Sequence, residues 1–147
     1  MQSPGCRSLK RVGIYAITLA LLATPAMAAQ KRKMTLVLKG GTPATTPATF
    51  CGVTPDATNF LVDGTVGYKG RLSPSPPAGA KVKVVVKRCY DDTTLYTPGF
   101  RTVMTLTARV HAKGTFSGSF PVQLQSNCFV QASYRRSTSN RAYFSVS

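Results

Sequence analysis

The sequence contains no glutamate and no tryptophan, and His111 is its only histidine. Acid–base catalysis by paired carboxylates would therefore have to use two of the four aspartates, Asp56, Asp63, Asp91 and Asp92. None of the four stands in a catalytic motif, and neighbouring aspartates such as Asp91 and Asp92 are more typical of the end of a strand than of a calcium site. The chain is therefore expected to be noncatalytic, with no metal and no cofactor.

Side chains suited to nucleophilic or zinc chemistry are equally few. A Ser-His-Asp triad would need His111, and the sequence has no nucleophile-elbow motif. Cys51, Cys89 and Cys128 together with His111 would supply four zinc ligands, but they lack the paired short spacing of zinc sites. The lack of catalytic and zinc-binding motifs in the sequence favours a binding or structural function over an enzymatic one.

The amino-terminal segment has the pattern of a secretory signal peptide. Three basic residues, Arg7, Lys10 and Arg11, precede an apolar run over 12–23. Small residues, Ala26 and Ala28, then occupy the positions that a signal peptidase reads. We predict a signal-peptide helix over residues 1–28, cleaved after Ala28 or one residue later, and a secreted or extracytoplasmic location (periplasm, cell surface or extracellular). An uncleaved membrane anchor is the alternative interpretation.

The remaining 119 residues are enough for one domain, and their charge is strongly one-sided. They hold 16 Lys and Arg against four Asp, a net charge of +12. Such an excess predicts attraction to polyanions, although a merely solvated basic surface is the alternative. We expect the partner to be an anionic cell-envelope polymer or an extracellular protein, with no specific nucleic acid and no membrane span after cleavage. The sequence leaves the oligomeric state open.

Three cysteines follow the predicted cleavage point, and an oxidising compartment favours their pairing. We predict a Cys89–Cys128 disulfide, because each residue borders a strong strand pattern. Closing the loop of 38 intervening residues would stabilise the fold by roughly 3 to 4 kcal/mol. By alternation Cys89 would face solvent with Lys81, Lys83 and Lys87, so a buried bridge requires a β-bulge near Arg88. Cys51 would then be free, bridged to another molecule, or the true partner of one of the others.

Apolar residues alternate with polar ones from Phe50 onward, with turn residues at short intervals, which is the pattern of a sandwich or barrel. Residues 29–49 are predicted to form a basic tail, a short edge strand and a Thr/Pro-rich linker or extended entry segment, and residues 50–147 the β-domain. Residues 100–110 should place Phe100 inward. We expect 111–114 to be the turn of a hairpin, with Gly114 at positive φ, and 128–134 and 142–146 to form a closing hairpin.

The same alternation predicts where the cations point. In 81–87 the valines at even positions face inward, so Lys81, Lys83 and Lys87 face solvent. Arg101 and Arg109 take the outward phase of the next strand. The last turn adds three more cations, Arg135, Arg136 and Arg141. We predict that these eight residues form a polyanion-binding surface.

The runs AKGTFSGSFPV (112–122), CFVQASY (128–134) and YFSV (143–146) resemble the closing half of bacterial immunoglobulin-like and carboxypeptidase-regulatory-like extracellular modules. The strand, Pro/Gly loop and Val-rich strand over 65–86 resemble their opening half. Lys113 departs from the Asp or Asn usual before the turn glycine. The resemblance, over about Phe50 to Ser147, implies an all-β immunoglobulin-like antiparallel β-sandwich of about seven strands with a binding or spacer role.

Two functions are compatible with these observations. The first is a noncatalytic secreted or cell-surface module with a structural, adhesion or binding role. The second is a secreted cationic effector, such as an enzyme inhibitor, a cell-wall polymer binder or an antimicrobial protein. Loss of surface charge should abolish the second function and leave a structural spacer intact.

Overall fold

A computed structural model describes residues 31–92 and 97–147, so the predicted signal peptide over 1–28 lies outside the described residues. The described chain forms ten strands: β1 (Lys33–Lys39), β2 (Thr42–Pro43), β3 (Ala57–Phe60), β4 (Thr65–Ser73), β5 (Lys81–Tyr90), β6 (Gly99–Arg109), β7 (Thr115–Pro121), β8 (Ser126–Tyr134), β9 (Ser137–Thr138) and β10 (Ala142–Val146). Across these two ranges we find no helix with the length and apolar character needed to cross a membrane.

The strands form two packed sheets. The small sheet has the order β1-β4-β7, and the large sheet has the order β2-β3-β10-β8-β5-β6, with β9 paired to β8. All pairs are antiparallel except β3 with β10, which is parallel. The prediction of a purely antiparallel sandwich of about seven strands is therefore corrected. The two-residue strands β2 and β9 are too short to show alternation, which explains two of the three uncounted strands.

The core lies between the two sheets and follows the predicted period of two. Val82, Val84 and Val86 of β5 are buried on the inner face of the large sheet. Tyr68 and Leu72 of β4 are buried on the inner face of the small sheet. Because alternate side chains of each strand meet across the gap, the remaining positions of the long strands face outward.

The first strand is part of this core. β1 lies at the edge of the small sheet, pairs with β4, and buries Met34 and Leu36. The packed sandwich therefore begins at Lys33 and not at Phe50. The outer edge of β1 is covered by Asn140, whose amide N–H donates to the Leu36 carbonyl and whose amide oxygen accepts from the Leu36 N–H, both at 2.9 Å. This side chain replaces a neighbouring strand.

The turn at 111–114 does not close a hairpin. β6 lies in the large sheet and β7 pairs with β4 of the small sheet, so the turn carries the chain from one sheet to the other. Gly114 does adopt a positive φ of 74°, as predicted, and a Cβ there would overlap the Leu72 carbonyl. The expected closing hairpin is present, because β8 and β10 pair antiparallel.

The disulfide joins Cys51 to Cys89, so the predicted Cys89–Cys128 bridge is wrong. Cys128 lies directly opposite Arg88 in the pairing of β5 with β8, and opposite residues share a face. Cys128 therefore points into the core, where it is a buried free thiol. Cys89, one residue beyond Arg88, points to the outer face and meets Cys51 there.

A β-bulge in β6 reverses the facing predicted for its first residues. Val86 pairs with Met104, but Lys87 pairs with Thr102, so Val103 is an extra residue. Beyond the bulge, Phe100 lies opposite Cys89 on the outer face, and Arg101 lies opposite Arg88 on the other face. The predicted inward Phe100 and outward Arg101 are therefore both corrected by one inserted residue.

Candidate polyanion-binding face

Four cations lie together on the outer face of the large sheet. Lys81 and Lys83 on β5 are exposed, and Lys87 on the same strand is half-buried. Arg109 of β6 lies directly opposite Lys81. Alternate residues of a strand are about 7 Å apart, and directly opposite Cβ atoms are about 5 Å apart. This arrangement crowds like charges at a cost to stability.

Within residues 31–92 and 97–147, no carboxylate forms an ion pair with Lys81, Lys83, Lys87 or Arg109. The four aspartates, Asp56, Asp63, Asp91 and Asp92, are exposed and lie outside the strands. The large sheet therefore presents a positive patch whose natural counter-ion is an external anion.

Beside the cations, the outer face carries an aromatic cluster separate from the core. Phe100 and Phe129 have ring centroids 4.8 Å apart, and Tyr143 lies 5.5 Å from Phe129 and 5.6 Å from Phe50. Phe50 and Phe129 are buried, whereas Phe100 and Tyr143 are half-buried. The guanidinium of Arg141 covers the Phe129 ring at 4.8 Å, which is a cation–π contact. Cations and partly exposed rings thus share one face.

A tight turn covers the aromatic cluster and is fixed by the disulfide. The Phe50 N–H donates to the Val53 carbonyl at 2.7 Å, and the Val53 N–H donates to the Phe50 carbonyl at 3.0 Å. Cys51 and Gly52 between them have positive φ values of 44° and 85°, as a type I′ turn requires. The Cys51–Cys89 bond then ties the turn to β5. A disulfide of this kind indicates an oxidising compartment.

The other predicted cations lie elsewhere. Arg101 stacks over the Tyr90 ring at 5.7 Å on the side of the sheet that holds Arg88. Arg135 covers the Tyr134 ring at 5.4 Å, and Arg136 is exposed beside it in the turn between β8 and β9. Five of the eight predicted residues therefore share the outer face of the large sheet: Lys81, Lys83, Lys87, Arg109 and Arg141.

A second basic surface was missed by the sequence-based prediction. Lys33 and Lys39 of β1 and Lys69 and Arg71 of β4 are exposed on the outer face of the small sheet. The signal was present, because Lys69 and Arg71 alternate with buried residues of β4. The described part of this face has no aromatic ring, so it differs from the large sheet in composition and provides an internal comparison.

No family model and no curated sequence matches the chain. Part of the Pseudomonas fluorescens alkylpurine DNA glycosylase AlkC, bound to DNA containing an abasic-site analogue, aligns with 79% of this chain and 30% of its own, at 10% identity and a TM-score of 0.41. Part of a β-glucosidase from Listeria innocua, in complex with glucose, aligns with 78% of this chain and 16% of its own, at 8% identity and a TM-score of 0.41. The chain spans less than a third of either protein, and likeness at this level carries no argument about function.

Proposed function

We propose that this protein is a noncatalytic exported module that holds an anionic polymer of the cell envelope against the outer face of its large sheet. The observation that carries the proposal is the joint placement of unpaired cations and partly exposed rings on that one face. Cations such as Lys81 neutralise the polymer charge, and rings such as Tyr143 offer an apolar surface to a sugar or base. The scarcity of acid–base side chains supports a noncatalytic role.

We further propose that the fold is immunoglobulin-like. In that fold one sheet contains strands A, B and E and the other contains C, F and G. The orders β1-β4-β7 and β10-β8-β5 fit these two sets, with β6 as an added strand beside β5. The disulfide of antibody domains links the two sheets, whereas the Cys51–Cys89 bond links a loop to a strand. The likeness is therefore one of strand order.

The binding face is tested with two matched triple variants. In the first, Lys81, Lys83 and Lys87 are replaced by Gln. In the second, which is the control, three cations of the small sheet are replaced in the same way: Lys33, Lys69 and Arg71. Both variants lose three charges, so their net charges stay equal. We expect the first variant to lose binding to heparin and to a teichoic-acid-like polymer by at least tenfold more than the control.

The two variants also separate the proposal from uniform attraction by net charge. Equal loss of affinity in both variants would show that the charge acts from the whole surface and would overturn the assigned face. DNA is included as a third polymer, because a purely electrostatic face should bind all three at low salt. Tight binding to DNA alone, unaffected by the triple change on β5, would also contradict the proposal.

A secreted cationic effector is the second candidate function, and the basic outer faces of both sheets favour it. An effector would act on another cell or enzyme, whereas an envelope module would stay with its producer. Fractionation of the producing cells decides between them. Retention in the envelope fraction, lost in the variant of Lys81, Lys83 and Lys87, supports the module. Free release of the wild-type protein, with growth inhibition of other cells, supports the effector.

A further inference from the structure

The two sheets leave an apolar cleft open along one side of the sandwich. It has a volume of about 400 Å³ and lies where β6 and β7, the edge strands of the two sheets, face each other. Its walls include Met104, Phe120, Val122 and Phe144. A cleft of this volume is within the range of small-molecule sites, which is roughly 300 to 1,000 Å³.

The rim of the cleft exposes large apolar side chains to water. Val103, the extra residue of the β6 bulge, is 49% exposed, and Leu124 in the loop after β7 is 66% exposed. Exposed apolar side chains beside an apolar cavity mark a binding surface more often than isolated ones do. An occupant with an apolar chain would remove both the rim and the walls from water.

One cation lines this apolar site. Arg88 continues the inward phase of the β5 valines and, of the described residues that line the cleft, is the one that carries a charge. Its guanidinium donates to the Gln125 carbonyl at 3.3 Å and lies 5.3 Å from the Tyr90 ring. No carboxylate in the described ranges forms an ion pair with it. A guanidinium beside an apolar cleft and without an ion-pair partner favours a ligand that carries a carboxylate.

We propose that this cleft binds a fatty carboxylate, with the acyl chain between the sheets and the carboxylate on Arg88. The apolar walls fit the chain, and the guanidinium fork fits the two carboxylate oxygens. The site is independent of the polymer-binding face, because Arg88 and the row of Lys81, Lys83 and Lys87 project from opposite sides of β5. Failure of either proposal therefore leaves the other standing.

The test begins with saturated fatty carboxylates of 6 to 14 carbons, titrated into the mature secreted protein below their micelle concentrations. Burial of a methylene group is worth about 0.8 kcal/mol, so affinity should rise about fourfold per added carbon and level off once the cleft is full. Decanol, which has the chain without the charge, should bind at least tenfold more weakly than decanoate. Affinity without dependence on chain length would overturn the proposal.

The role of the cation is tested with Arg88→Gln, and Arg71→Gln serves as the matched control. Arg71 has the same chemistry but is exposed on the outer face of the small sheet. We expect Arg88→Gln to reduce decanoate affinity at least tenfold while leaving decanol affinity unchanged, and Arg71→Gln to change neither. Equal effects of the two substitutions on decanoate would contradict the assigned position of the carboxylate.

A second readout uses the free thiol at the wall of the cleft. Cys128 lines the cleft, is 3% exposed, and donates through its sulfur to the Ser126 hydroxyl at 3.5 Å. Bound decanoate should slow the reaction of Cys128 with a small thiol reagent by at least tenfold, and decyltrimethylammonium should not. Unchanged reactivity at saturating decanoate would place the ligand elsewhere. If the protein forms dimers when decanoate is absent and in excess decanoate alike, a second copy of the chain covers the cleft and the proposal is wrong.

Discussion

Replacement of Cys51 by Ser tests the disulfide that holds the outer aromatic cluster. The bond joins residues separated by 38 positions. In the chain-entropy model, removing a cross-link over a loop of this length destabilises the fold by about 4 kcal/mol. The substitution also releases the turn in which Cys51 has a φ of 44°, a conformation that costs a non-glycine residue about 1 to 2 kcal/mol. Loss of the bond therefore removes both the cross-link and the restraint on the turn.

Urea unfolding at equilibrium measures this effect. With an m value between about 1 and 3 kcal/mol/M, a loss of about 4 kcal/mol lowers the midpoint by on the order of 2 M. Cys128→Ala is the matched control, because it removes a cysteine that forms no bond and should cost about 1 kcal/mol. Equal destabilisation by Cys51→Ser and Cys128→Ala would refute the assigned pairing, as would a Cys89–Cys128 peptide in a non-reducing digest of the wild type.

Three further predictions concern other parts of the chain. Intact-mass analysis of the secreted protein should find Ala29 or Gln30 at the amino terminus, and retention of Met1 would contradict cleavage. Burial raises the pKa of the Cys128 thiol, so the folded state keeps its proton where the unfolded chain loses it. Stability should therefore fall as pH rises above about 8.5, less so in Cys128→Ala, and parallel pH curves would contradict this. Gly70→Ala should destabilise the fold by roughly 1 to 3 kcal/mol in urea unfolding, because a Cβ there overlaps the Phe116 ring, and an unchanged midpoint would contradict the packing.

Alternation predicted the long strands well because one face of each is buried. The valines of β5 and the lysines between them lie on opposite faces, as the period of two requires. The same rule failed in β6, where one inserted residue, Val103, exchanged the faces of Phe100 and Arg101. A bulge depends on the neighbouring strand, so the alternation of a single strand does not reveal it.

The disulfide was missed for a related reason. Cys51 to Cys89 spans 38 positions, and the incorrect pairing spans almost the same length, so loop-closure entropy does not distinguish them. The choice depends on which face each cysteine occupies. The alternation of apolar and polar residues correctly placed Cys89 and Cys128 on opposite faces of the sheet. Nothing in the local pattern showed that the loop of Cys51 folds back onto the outer face. That contact is set by tertiary packing of the Phe50 ring against Tyr143.

The site was predictable in part. The cations of β5 and Arg109 follow from alternation, whereas Phe100 joins them through the bulge and Phe50 through its turn. The alternation in β4 predicts that Lys69 and Arg71 face outward. The full basic face also needs β1 paired to β4, and the sequence pattern assigned β1 to a separate segment. Pairing between strands distant in sequence is what single-strand patterns leave open.

The salt dependence of polymer binding tests the assigned face most directly. Suppose that each of the five outer-face cations neutralises one phosphate: Lys81, Lys83, Lys87, Arg109 and Arg141. DNA affinity should then fall about 500-fold between 50 and 200 mM salt. With Lys81, Lys83 and Lys87 replaced by Gln, two contacts remain and the fall should be only about tenfold. The same steep fall in wild type and variant would contradict the account, because the binding charges would then lie elsewhere.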